Sequence, residues 1–177
     1  MKKINLGTLI VFFFSATAWA MEIFPLKVEN EWTYKVSSNY PRCPDGEHTS
    51  KVVEEQEVAG RIAFKITSAC SGYGSGFLSE NNQGAIDSHY NGSWYRNLDL
   101  PLEEGHRWQE FRIFAEWRKI DSVRVPAGTF TNCWRKKRLV TYTHWEDYCI
   151  GVGLVRSFMK DLAGGYISMS LISYSVN

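Results

Sequence analysis

Trp32-Thr33-Tyr34-Lys35-Val36-Ser37 sets an apolar side chain at every second position and a polar one between. A period of two puts one row in a core and the other in water, which marks an antiparallel strand with one covered face. The pattern recurs along the chain. Ile62, Phe64 and Ile66 alternate with Ala63, Lys65 and Thr67. Phe111, Ile113, Ala115 and Trp117 alternate with Arg112 and Glu116, and read as one strand running from Glu110 to Arg118. Ile167, Met169 and Leu171 alternate with Ser168 and Ser170. Between these runs stand turn signals: Ala59-Gly60, Asn81-Asn82-Gln83-Gly84, Asn91-Gly92, Ala127-Gly128 and Gly164-Gly165. No window beyond residue 20 carries a helical stripe. The fold class expected is all-β: one antiparallel sheet, strongly curved into an open or half barrel, with a two-sheet β-sandwich as the alternative.

The first twenty residues follow a different rule. Lys2 and Lys3 open the chain, an apolar run follows through Phe12-Phe13-Phe14, and Ala18-Trp19-Ala20 closes it. A basic start, a short apolar core and a small-x-small site make a secretory signal peptide, cleaved after Ala20. The apolar core is too short for a stable membrane span. The expected organisation is a signal peptide over 1–20 and a single β domain over 21–177, placed in the periplasm or secreted. The chain has 20 basic and 19 acidic residues among 177. Loss of Lys2 and Lys3 with the leader leaves it nearly neutral, so no global field steers it onto nucleic acid or an anionic membrane.

A faint repeat divides the chain. Pro25-Leu26 precedes Trp32 as Pro101-Leu102 precedes Trp108, and Val58-Ala59-Gly60 has a counterpart in Val125-Pro126-Ala127-Gly128. Gly84-Ala85-Ile86 likewise matches Gly153-Leu154-Val155. Two pseudo-repeats within one sheet are expected, the first carrying an extra loop between Ser38 and Ser50.

Three of these segments carry a resemblance. Phe24-Pro25-Leu26 with Asn30, Trp32 and Tyr34, then Val125-Pro126-Ala127-Gly128-Thr129-Phe130, then Gly151-Val152-Gly153-Leu154-Val155 are similar to motifs of a group of uncharacterised exported bacterial proteins. Those proteins read F-P-L-x-x-G-N-x-W-x-Y, V-P-A-G-T-F and G-V-G-L-V. Glu29 stands where the group has glycine. The resemblance implies export and attaches no activity. Its motifs are turn and strand chemistry, not reacting groups.

Cys43, Cys70, Cys133 and Cys149 are an even set in a chain marked for export, which reads as two disulfides. Three pairings are open. Cys43–Cys70 with Cys133–Cys149 is preferred because each then closes within one half. A zinc site is disfavoured, since no C-x-x-C is present.

Candidate chemistry is sparse. Asp87-x-His89 and His144-x-Glu146 could place two metal ligands on one strand face, but both sit beside turn signals, and no metal is expected. There is no G-x-S-x-G elbow, phosphate loop or dinucleotide fingerprint. Neighbouring carboxylates such as Glu54-Glu55 and Glu103-Glu104 point to opposite faces of a strand. No catalytic residue and no cofactor is therefore assigned. Trp94, Trp108 and Trp145 lie near turns and are candidates for a ligand rim. Arg135, Lys136, Lys137 and Arg138 form the strongest charge run, read either as an edge strand guarded against aggregation or as an anion-binding patch.

The leading expectation is a non-catalytic binding protein for an apolar or amphipathic small molecule, or for an envelope protein. An interaction or inhibitor protein using the basic strand edge is the second, and an undetected hydrolase the third. Amino-terminal sequencing of the exported protein is expected to begin at Met21. A mature form that keeps the apolar run would overturn the leader.

Overall fold

The computed structural model describes residues 22–68, 70 and 76–177, so the leader expected over 1–20 lies outside the described residues. Twelve strands follow one another: β1 (Glu31–Ser38), β2 (Gly46–Val58), β3 (Arg61–Ser68), β4 (Gly76–Glu80), β5 (Ile86–Tyr90), β6 (Ser93–Leu98), β7 (Arg107–Glu110), β8 (Ile113–Val125), β9 (Gly128–Arg138), β10 (Thr143–Cys149), β11 (Gly153–Lys160) and β12 (Tyr166–Ser175). No helix occurs among the described residues. Except for β6 and β7, each strand pairs antiparallel with its neighbour in the chain, and β12 returns to pair with β1. The sheet therefore curls into an up-and-down barrel with one seam, between β6 and β7.

The pseudo-repeat corresponds to two runs of six strands. Trp32 lies in β1 as Trp108 lies in β7, and the 13-residue strands β2 and β8 hold matching places. The halves differ where β1 meets β2. Seven residues, 39–45, make that connection, whereas Phe111 and Arg112 alone join β7 to β8.

That short turn corrects the single strand read from Glu110 to Arg118. The chain reverses at Phe111, which has φ 54°, and Trp108 then faces Ala115 across the hairpin. Left-handed backbone is the province of glycine and asparagine, as at Asn91-Gly92 between β5 and β6. An aromatic residue in that conformation gives the sequence no turn signal.

One end of the barrel is filled. Trp32 Nε1 donates across the interior to the carbonyl of Val152 at 2.6 Å, and the Tyr34 hydroxyl to that of Leu154 at 2.9 Å. Phe24 stacks on Trp32 with ring centroids 5.0 Å apart. A Cβ on Gly153 would lie 3.1 Å from the Phe24 ring, so glycine is needed there for packing as well as for its φ of 93°. Asn30, fully buried, donates to the Pro25 carbonyl at 3.0 Å and accepts from the Asn177 backbone at 3.0 Å. The Ala127 amide, in the β8–β9 turn, donates to the Leu171 carbonyl at 3.0 Å. The three motif segments thus meet in one plug.

Disulfides join Cys43 to Cys70 and Cys133 to Cys149. The first ties the β1–β2 connection to the chain beyond β3. The second links directly paired residues of β9 and β10.

Glu29 has φ 76°, which explains why the motif calls for glycine at this position. Its side chain meets Lys51 at 2.6 Å on the surface, a contact of little worth in water. Glu29→Gly is expected to stabilise the protein by about 1 kcal/mol by removing left-handed strain, read as a rise in the denaturant midpoint. A fall in the midpoint would show that the side chain outweighs the backbone.

Candidate functional site

Residues two apart on a strand share a face. Lys136 and Arg138 on β9 therefore point the same way, as do His144, Glu146 and Tyr148 on β10. Register sets Lys136 opposite Glu146. Both rows turn into the barrel, where Glu110 at the end of β7 joins them. Asn97 reaches the group from β6, across the seam.

The contacts are dense. Lys136 Nζ lies 2.5 Å from Glu146 Oε2 and 3.2 Å from Glu110 Oε1, and donates to Asn97 Oδ1 at 3.0 Å. Arg138 holds Glu110 with two hydrogen bonds, Nε to Oε2 at 2.8 Å and Nη2 to Oε1 at 2.7 Å. Its Nη1 donates to His144 Nδ1 at 2.9 Å. His144 Nε2 lies 3.2 Å from Glu146 Oε1, and the Tyr148 hydroxyl donates to Glu146 Oε2 at 2.9 Å.

Burial alone would push both carboxyls up. The cations overrule it: Lys136 and Arg138, helped by the hydrogen bond to His144, hold Glu146 well below the ordinary glutamate range, and Lys136 and Arg138 hold Glu110 below it. Burial, reinforced by the charge of Glu146, pushes the Tyr148 hydroxyl well up, so it stays a neutral donor. Both carboxyls are held in the ionised form, as acceptors for these donors. The wall is built to hold hydrogen bonds.

This wall borders a cavity of about 720 Å³ in the barrel. Trp32, Tyr34, Leu98 and Leu154 form its floor, against the plug. Ile66 and Leu78, from β3 and β4, line the side opposite the charged wall, and Ile167 and Met169, from β12, the side between. The mouth lies where lining residues are exposed, at Tyr90 and Phe111, so the cavity opens at the end opposite the plug.

The sequence-derived candidates fall elsewhere or divide. None of Trp94, Trp108 and Trp145 lines this cavity. Trp108 is buried against Trp117 at 5.0 Å between centroids. Trp94 packs on His89, and Trp145 lies on the outer face beneath Arg135, 4.1 Å away. The rim reading is corrected, because closeness to a turn does not decide which face of a strand a side chain takes.

The basic run is not an edge. β9 lies between β8 and β10, with both of its backbone edges paired. Its charges split by parity. Arg135 and Lys137 face outward, and Arg135 shares the buried Asp147 with Arg156 at 2.7 and 2.8 Å. Lys136 and Arg138 face the cavity. Asp87 is held by Arg61 and Arg96 at 2.7 and 2.6 Å, not by His89. Among the described residues no three His, Cys, Asp or Glu side chains converge as metal ligands.

Glu110, Asn97 and Tyr148 were missed. One signal was available: Lys136-x-Arg138 and His144-x-Glu146-x-Tyr148 are complementary polar rows on successive strands. Glu110 was hidden by the unrecognised turn at Phe111, and Asn97 arrives by closure of the barrel.

No family model matches the chain, and no curated protein does. Among solved structures, the chain is similar to a candidate lipoprotein from Parabacteroides distasonis, with 15% identity, TM-score 0.53, and coverage of 88% of this chain and 99% of that one. It also overlays a candidate exported protein from Bacteroides fragilis described as having a YmcC-like fold, with 14% identity, TM-score 0.48, and coverage of 86% and 98%. The first likeness shows a shared fold.

Depressed carboxyls stabilise the folded state above their unfolded pKa, and that stability is lost as pH falls through the lower folded values. Melting temperature is therefore expected to drop on acidification below the ordinary glutamate range, with a shallower drop in Glu146→Gln. An unchanged acid slope in that variant would refute the charge assignment.

Proposed function

We propose that the protein is an exported binding protein that holds an amphipathic small molecule inside the barrel. The carrying observation is the cavity itself, about 720 Å³, with an apolar floor and one hydrogen-bonding wall. That volume falls in the usual range for small-molecule sites, roughly 300–1,000 Å³. The ligand's apolar chain would lie against Trp32, Leu154 and Met169. Its head would meet Arg138, His144 and Glu110 near the mouth.

The charge ledger favours an uncharged head. Lys136 and Arg138 balance Glu110 and Glu146, so a charged head would enter a low-dielectric site without a free counter-charge. Export is supported by the leader pattern, by the two disulfides, and by the shared fold with a candidate lipoprotein.

The test uses phenylnaphthylamine, an uncharged fluorophore that brightens in apolar surroundings. The folded protein is expected to enhance its emission. A monoacylglycerol should displace it better than the matching fatty acid at neutral pH. Met169→Trp, which fills the cavity, should weaken binding about tenfold. Binding undiminished in Met169→Trp would place the fluorophore elsewhere and overturn the reading.

A further inference from the structure

The two ends of the barrel expose different chemistry. At the open end stand Tyr90, Phe111, Phe114, Leu139 and Leu162, the last 80% exposed. They account for five of the eight large apolar side chains exposed among the described residues, so the clustering is not a scatter of single surface residues. They lie in or beside four separate connections, β5–β6, β7–β8, β9–β10 and β11–β12, with Tyr90 at the end of β5 and Phe114 near the start of β8. Phe111 keeps an aromatic ring in left-handed backbone, where asparagine or glycine would relax the turn.

Charge is divided along the same axis. The connections and chain segments at the plugged end carry Glu22, Glu29, Glu103 and Glu104 against Lys27. At the open end Arg42, Arg112, Lys137 and Lys160 stand against Asp45, Glu47 and Asp161, an excess of one positive charge. Asp45 and Asp161 keep their charge but are tied to their own loops: Asp45 accepts from the Ser38 amide at 2.5 Å, and Asp161 from the Gly165 amide at 2.8 Å and the Tyr40 hydroxyl at 2.5 Å. The near-neutral total conceals this polarity. Tyr90 and Phe111, whose rings meet edge to face at 6.1 Å, are exposed lining residues, so the mouth of the cavity opens beside these apolar tips.

We propose that the open end docks on an anionic lipid bilayer. The apolar tips enter the headgroup layer, and Arg112, Lys137 and Lys160 meet the lipid phosphates, so the cavity mouth faces the membrane. The idea rests on the ligand reading only for what the mouth would pass. Docking can be measured with no other ligand present, so failure of either reading leaves the other standing.

The experiment is vesicle flotation of the exported protein with phosphatidylcholine alone and with phosphatidylcholine and phosphatidylglycerol in equal parts. The protein is expected to float with the mixed vesicles, and salt should weaken that binding. Phe111→Asn with Leu162→Asn, which keeps both turns compatible with asparagine, should cut partitioning by about tenfold. The same variant should still bind phenylnaphthylamine in the absence of vesicles. Arg112→Gln with Lys160→Gln should reduce binding to mixed vesicles alone. Ile62→Asn and Tyr174→Asn, exposed toward the plugged end, should float like the parent. If Phe111→Asn lowers the melting temperature, Leu162→Asn alone decides. No flotation with either vesicle, an equal loss in the plugged-end controls, or loss of a dimer in place of lipid binding would overturn the proposal.

Discussion

Two hydrogen bonds across the interior divide the barrel into a solid part and a hollow part. Trp32 and Tyr34 reach from β1 to the carbonyls of Val152 and Leu154, at the start of β11. A bulky donor is needed to span that distance, and a buried indole or phenol must find a partner. Burial pushes the Tyr34 hydroxyl up, which keeps it a neutral donor. Phe24 and Gly153 close the remaining space from the amino-terminal segment. Everything beyond this plug depends on its being filled. The floor of the cavity is the upper surface of the same aromatic layer.

The charged wall imposes the opposite constraint. Four ionised side chains inside a barrel forfeit water, and each is tolerable only while its partners stay in place. The arrangement meets that demand with a bidentate Arg138–Glu110 contact and a Lys136 ammonium shared among three acceptors. Apolar side chains of similar volume would seal the barrel at no electrostatic cost. The wall thus keeps a polar surface facing an otherwise apolar chamber, at a position where ordinary packing would have filled it.

Much of the architecture was legible because strand alternation and turn chemistry are local. Trp32, Tyr34 and Val36 lie inward as their period requires, and the motif repeat falls on matching strands of the two halves. The resemblance to exported proteins also rests on plug residues, which is why it speaks of fold and not of activity. What escaped was non-local or disguised. Phe111 hid a turn behind an aromatic side chain. Lys136 and Arg138 read as surface charges because nothing in their own strand reveals that Glu110, Glu146 and Asn97 will meet them. The tryptophans near turns were misjudged for the same reason. Trp108 is buried by Trp117, a neighbour only once the β7–β8 hairpin forms.

The seam has a mechanical consequence. A ring of strands joined all round resists any change of girth, since widening it breaks a ladder. This ring is split, like a bracelet, between β6 and β7. Across the split the edges are held by side chains: Tyr95 against Phe111 with centroids 4.7 Å apart, Asn97 to Lys136 at 3.0 Å, and Asp99 to His106 at 3.0 Å. Spreading the bracelet costs those contacts and leaves every backbone ladder intact. Its bore is therefore adjustable at one place, and that place runs from the plug to the mouth along the edge of the charged wall.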